Sequence, residues 1–395
     1  MNPTIRRWLL GCSSLAVATG LWLPLVHLWF EPPASYYYSA QGVPPKAREL
    51  AARHLDLWTD PALKSRELER MRRSNAEWDF MGRSFLVWSL ANLALREPAR
   101  QADYLSVMDQ IIDETIRLEQ QEGIYFFLMN YAKARPFIVQ PARSLFLDSE
   151  IALMLAVRRV IAEKADYRTK LTERIEAMAS RMRQNPLAAA ESYPDECWLF
   201  DHAVALAAFR LADFLDGTRH QPLIQTWLAA AKASLLHPAT GLLISAYNLQ
   251  GKAADGPEGS SIWMAAHCLQ LVDEAFARDQ YDRARRELGR VVGGFGYSRE
   301  WPVSWQGLRD VDAGAVIPGL EISAGGSGLA FVGAASFHDL DFLKTLSTTL
   351  DFAAFPQKKQ GRLKYCGSNP VGDAVLLYST VMGPLWEKVQ KGNPW

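Results

Sequence analysis

From residue 79 onward, apolar positions recur at helical rather than alternating spacing, in segments that pair off across short breaks. Residues 79–96 and 102–119 flank Glu97-Pro98. Residues 145–163 and 168–183 flank a short polar break, and 199–215 and 221–236 flank the stop Asp216-Gly217-Thr218. Residues 260–276 pair with 279–292, and 325–337 with 340–353. Connections this short make each pair an antiparallel hairpin. A last helix over roughly 372–390 has no follower, and its natural partner is the stretch around 46–70. That closure gives six hairpins. No run alternates as a strand would.

The two helices of each pair differ in kind. The first ones open with small, polar or acidic residues and then turn strongly apolar, as in CWLFDHAVALAAF and GSSIWMAAHCLQL. The second ones, such as YRTKLTERIEAMASRMRQ, are amphipathic and far more charged. A helix ringed by others is apolar all round, and a surface helix is apolar on one stripe. The pattern predicts an all-α (α/α)6 toroid over residues 46–395, with apolar helices inside and amphipathic ones outside.

Two segments precede the toroid. Arg6 and Arg7 stand before an apolar run from Trp8 to Phe30, long enough to span a bilayer. Arginines on its N-terminal side place that end in the cytoplasm and the rest of the chain outside. Leu10-Gly11-Cys12 has the look of a lipoprotein cleavage box, but most of the apolar run follows Cys12, whereas a cleavable signal needs it upstream. Residues 1–30 are therefore read as an uncleaved anchor. Residues 31–45, EPPASYYYSAQGVPP, read as a linker without helical period.

Lys plus Arg equals Asp plus Glu at 43 each, a balance that argues against a nucleic-acid partner. Cys197, Cys268 and Cys366 match no zinc spacing and are expected as small buried hydrophobes. No metal or cofactor is implied. Ala324-Gly325-Gly326-Ser327-Gly328 lacks the ending of a phosphate loop, and its glycines fit close helix approach.

In such a ring the N-terminal ends of the inner helices meet at one mouth, bringing Glu77, Trp78, Asp79, Asp148, Glu150, Asp201, His202, Ser261, Trp263 and Asp373 towards one cleft. Asp79, Asp148 and Asp373 also stand where aspartate caps a helix. Asp201 follows Cys197-Trp198-Leu199-Phe200 inside an apolar helix start, where an unpaired carboxylate is costly and burial suits it to be a general acid. An ion pair with an arginine such as Arg143 is its structural alternative. Glu150 sits similarly in LDSEIALML. Asp201, Glu150 and Asp79 are the candidate catalytic residues. Trp78, Trp198, His202, Trp263, Tyr365 and Asp373 are candidate substrate contacts, although His202 and His267 also suit satisfied core histidines. Two long loops can line the cleft. One, residues 297–323, carries Arg299, Glu300, Arg309, Asp310 and Asp312, of which Asp312 is a further candidate contact. The other, residues 362–373, carries Lys364, Tyr365 and Asn369.

Three stretches, SNAEWDF with its following helix, NPLAAAESYPDECWLFDHAVALAAFRLADFLDGT and RLKYCGSNPVGDAVLLYSTV, give the chain a likeness over most of residues 70–390. It resembles the linalool dehydratase/isomerase family of bacterial enzymes. The resemblance implies an (α/α)6 fold, cofactor-free acid/base addition or removal of water at an allylic tertiary alcohol, and a ring-shaped homo-oligomer. That family's cleft uses two cysteines, a histidine, an aspartate and tyrosines. Its cysteine positions fall here on Ser192 and Asp201 and its histidine on Glu150, so Ser192 joins the candidate substrate contacts. No cysteine of this chain matches either site.

A small-molecule substrate, terpenoid or carbohydrate, fits this reading. Many (α/α)6 proteins are glycosidases or polysaccharide lyases, and a Glu150/Asp201 pair across a glycosidic bond is the alternative chemistry. A membrane-tethered binding protein without catalysis is the third reading.

Overall fold

The computed structural model describes residues 2–307, 309 and 314–392. Asp310 and Asp312 lie outside the described residues. Sixteen α-helices occur among the described residues. They run in order α1 Pro3–Trp22, α2 Ala34–Tyr37, α3 Pro45–Thr59, α4 Pro61–Ser74, α5 Ala76–Arg96, α6 Gln101–Glu122, α7 Leu145–Ile161 and α8 Ala165–Arg183. There follow α9 Leu199–Asp216, α10 Gln221–Ser234, α11 Gly259–Leu269, α12 Glu274–Glu287, α13 Ala324–Ser336, α14 Leu340–Ala353, α15 Pro370–Val381 and α16 Pro384–Lys391.

Helices α5, α7, α9, α11, α13 and α15 each pack on the next, and α15 returns to α5. Helices α6, α8, α12 and α14 back onto their inner partners, α10 leans on α8, and α3 covers α15. This is the closed (α/α)6 toroid. Residue character decides the layer. Every residue of α7 from Leu145 to Val160 is buried, whereas α8 buries one stripe, including Tyr167, Leu171, Ile175, Met178 and Met182. Charges within the inner layer are neutralised both within it and by the outer one. Arg158 bonds Asp109 at 2.7 Å, and Arg83 bonds Asp79 at 2.8 Å and Glu114 at 3.2 Å.

Several boundaries differ from the sequence reading. The helix expected over 260–276 ends at Leu269, because Asp273 caps the next one by accepting from Phe276 N at 3.0 Å. That partner ends at Glu287, and residues 289–292, read as helix, are a strand. It pairs antiparallel with Phe295–Ser298 across Gly293-Gly294, whose φ values of 56° and 85° a side chain would disfavour. Among the described residues two further small antiparallel sheets exist, and strands enter α9 and α13 directly. The segment around 46–70 divides at Asp60, which caps α4 through Ala62 N and Leu63 N. The last helix breaks at Gly383, φ 118°. The linker over 31–45 holds the single turn α2.

Helix α1 and the tight turn Leu23–Trp29 form an apolar rod with a mean hydropathy of 1.8 and no burial, long and apolar enough to cross a membrane. It meets the domain where Phe30 packs on Phe352 at 5.0 Å and Glu31 pairs with Lys344 at 2.7 Å. Cys197 and Cys268 are buried as expected. Cys366 is exposed, a correction that follows from its place in the loop between a strand and α15.

Candidate functional site

The opening turns of α5, α7, α9 and α11 converge on a central cavity of 70 Å³, lined by Glu77, Met81, Phe146, Tyr193, Trp198, Phe200, Asp201, Ser260 and Ser261. Two carboxylates from different helices, Glu77 and Asp201, border this one space. The Tyr193 hydroxyl donates to Glu77 and accepts from Met129 N at 2.9 Å, while its ring stacks on Tyr131 at 4.8 Å. Burial and the Glu77 charge both push the Tyr193 phenol up, so it stays a neutral donor. Trp198 Nε1 donates to Glu196 at 3.2 Å, which fixes the indole at the rim.

Glu150 lies one helical turn beyond Phe146 on α7, fully buried beneath the cavity rather than on its wall. Neither carboxyl oxygen has a hydrogen-bond partner among the described residues. The nearby Ser84 Oγ is committed to Phe80 O at 3.3 Å. Burial first, and then the neighbouring Asp201 charge, push Glu150 up to about 8 against the easing effect of Ser84. At neutral pH Glu150 is protonated. The pair proposed from sequence is thus electrostatically coupled, but only Asp201 reaches open space.

Other sequence candidates are placed elsewhere. Asp79 turns outward into its ion pair with Arg83, both 3 % exposed, and does not line the cavity. Arg143, offered as a partner for Asp201, instead bonds Asp148 at 2.8 Å, and Asp148 also accepts from Arg174 at 2.7 Å. Trp263 points to the outer layer, donating to Ser298 Oγ at 3.0 Å and packing on Tyr281 and Phe342. Ser192 is buried and accepts from Trp198 N at 3.3 Å, so it shapes the loop before α9. His202 is a core histidine. Its Nε2 accepts from Ala190 N at 3.1 Å, its Nδ1 meets Trp198 O at 2.7 Å, and burial lowers it to about 4.

Trp78, Tyr365 and Asp373 belong to a second, larger cleft of 780 Å³ between α3, α4, the strand Arg362–Tyr365 and the start of α15. Lys364 and Asn369 line it too. Consecutive residues on the first turn of α5 thus serve both spaces, Glu77 the cavity and Trp78 the cleft. The larger volume falls within the roughly 300–1,000 Å³ of ordinary ligand pockets, and the smaller does not. Asp373 Oδ2 accepts from Tyr365 N at 3.4 Å and Oδ1 is unpartnered; burial raises this carboxyl to about 7. Residues that the sequence reading left out, Arg53, His54, Arg66, Arg70 and Arg73, complete this wall. The spacing of Arg66, Arg70 and Arg73 at i, i+4 and i+7 was the available signal. Among the described residues no group of His, Cys, Asp and Glu side chains is arranged to hold a metal ion.

The sequence matches no protein-family model and no curated protein. Its structure is similar to a glycoside hydrolase from family 105 of C. acetobutylicum ATCC 824, with TM-score 0.51 and 11 % identity over 85 % of this chain and 99 % of that one. It is also similar to the GH76A alpha-1,6-mannanase of Salegentibacter sp. HEL1_6, with TM-score 0.52 and 10 % identity over 85 % and 98 % of the two chains. An inactive variant of that mannanase, solved with alpha-1,6-mannotriose, aligns with TM-score 0.51 and 11 % identity over the same shares. Identity this low speaks for the shared toroid alone.

Proposed function

We propose that the chain is a membrane-anchored, carbohydrate-active enzyme that cleaves a glycosidic bond by acid/base chemistry at the toroid mouth. The observation that carries the reading is the meeting of Glu77 and Asp201, from separate inner helices, at one aromatic-walled cavity. Such a bond breaks when one carboxyl protonates the leaving oxygen while a second, ionised carboxylate acts on the opposite side. Trp198 supplies a flat face for a sugar ring at this end, and Trp78 supplies one in the adjoining cleft. The sugar body occupies the cleft and presents its bond to the cavity. Asp201 is the proton donor and Glu77 the ionised member, and neutral Glu150 beneath Asp201 adds no further negative charge there. With arginines before the apolar rod, the catalytic domain lies outside the cytoplasm.

A second reading rests on the apolar wall of the same cavity. Met81, Phe146 and Phe200 suit a hydrocarbon, and the carboxylate beside them suits the hydro-lyase or isomerase chemistry of the linalool dehydratase/isomerase family that the sequence resembles. Incubating the purified protein with a panel of oligosaccharides and terpenols distinguishes the two. The carbohydrate reading expects new reducing ends or unsaturated sugars, absent with Asp201→Asn and Glu77→Gln. Turnover of a terpenol alone, or full activity in both variants, overturns it.

A further inference from the structure

The larger cleft carries more positive charge than folding requires. Arg66, Arg70 and Arg73 form one stripe on α4, and like charges at that spacing repel by a few tenths of a kcal/mol per pair. Arg73 meets Glu69 at 3.8 Å and Arg53 is held by Glu67. Arg66, Arg70 and Lys364 have no ion pair and no side-chain hydrogen bond among the described residues, yet all three border the cleft. Against them the cleft sets only Glu67, already paired, and Asp373, whose burial favours its neutral form below about pH 7.

Deeper in the same wall, residues that border the cleft carry buried polar atoms without partners. His54, 3 % exposed, leaves Nε2 unbonded, and Arg53 leaves Nη1 unbonded beside it. Burial, reinforced by the Arg53 charge, lowers His54 to about 3, so it is a neutral imidazole offering one hydrogen-bonding nitrogen. An orphaned buried nitrogen costs stability unless a ligand or water satisfies it. Trp78, half-buried, adds a flat aromatic surface.

We infer that this cleft binds an anionic saccharide, a sugar body resting on Trp78 whose carboxylate or phosphate groups are received by Arg66, Arg70 and Lys364. The sugar body rests on the carbohydrate reading above. The anionic group rests on the cleft itself. Arginine receives either oxyanion through paired N–H donors, which is the chemistry the stripe on α4 displays.

The test is calorimetric titration of the full-length protein, in a non-ionic detergent, with four probes. They are a hexuronic-acid tetrasaccharide, the neutral hexose tetrasaccharide of the same linkage, a hexose 6-phosphate and inorganic phosphate. The uronate or the sugar phosphate should bind at least about tenfold tighter than the neutral sugar, as expected for charge-assisted bonds. Arg66→Gln with Arg70→Gln should erase that preference. Raising salt from 50 to 300 mM should weaken the wild type by a similar factor, a readout that needs no variant to fold. The uronate and phosphate arms show which anion is preferred. If the neutral tetrasaccharide binds as tightly, or the double variant of unchanged melting temperature binds the uronate as well as wild type, the anionic assignment fails and the carbohydrate reading survives. If inorganic phosphate binds as tightly as any sugar and neither tetrasaccharide binds, the saccharide assignment fails along with the carbohydrate reading.

Discussion

Replacing Glu150 with glutamine exchanges a fully buried carboxyl for a neutral amide of the same shape, and the structure fixes how the effect varies with pH. The folded pKa of about 8 lies above the ordinary value of 4.5, so between them the folded state holds a proton that the unfolded state has lost. The stability from this group is complete below about pH 4.5 and is lost as pH rises through about 8. At pH 8 the wild type has forfeited about 4 kcal/mol relative to acid conditions, a term glutamine never loses. For a domain of roughly 350 residues, with unfolding entropy near 2.1 cal/mol/K per residue, that corresponds to about 5 °C in Tm. Melting curves of wild type and Glu150→Gln at pH 4.5 and pH 8 make the assay. The variant should melt within about 2 °C of wild type at pH 4.5 and about 5 °C higher at pH 8. An equal gap at both pH values would refute the reasoning, because Glu150 would then be ionised or solvated in the fold.

Other expectations follow from the same geometry. Asp79→Ala leaves Arg83 paired only with Glu114 and should cost about 3 kcal/mol in urea unfolding, while turnover per folded molecule holds. Asp201→Asn and Glu77→Gln should do the reverse, lowering kcat by about 100-fold or more with unfolding midpoints unchanged. Trp263→Phe removes the bond to Ser298 Oγ and should cost about 1 kcal/mol with no change in KM. Removing residues 2–30 should move the protein from the carbonate-resistant membrane fraction to the supernatant, whereas full-length chain stays with the membrane.

The ring of hairpins was legible because layer and composition coincide: an all-apolar helix such as α7 has only one place in a toroid. The strand pair at Gly289–Ser298 was hidden because R-V-V continues the helical period of α12, although the Gly-Gly pair between apolar runs is a hairpin signal. The site was half legible for a reason of phase. Helix openings were identified correctly, but residues two apart on a helix point about 200° apart. Glu77, Phe146 and Ser261 therefore face the cavity, while Asp79, Asp148 and Trp263, each two positions later, face the outer layer. Glu150, four after Phe146, shares its face but lies a turn too deep. The cleft beside α4 is hidden in the sequence because residues 46–70 form a continuous helical pattern that masks the break at Asp60-Pro61 and the arginine stripe beyond it.

The most direct test of the central claim is a structure of the Asp201→Asn variant with a bound, uncleaved oligosaccharide. The account predicts one sugar ring against Trp198 at the central cavity, with a glycosidic oxygen between the side chain at position 201 and the Glu77 carboxylate, each within about 3.5 Å of a reacting atom. A saccharide bound only on the outer surface, or one whose glycosidic bonds all lie beyond reach of both side chains, would contradict it.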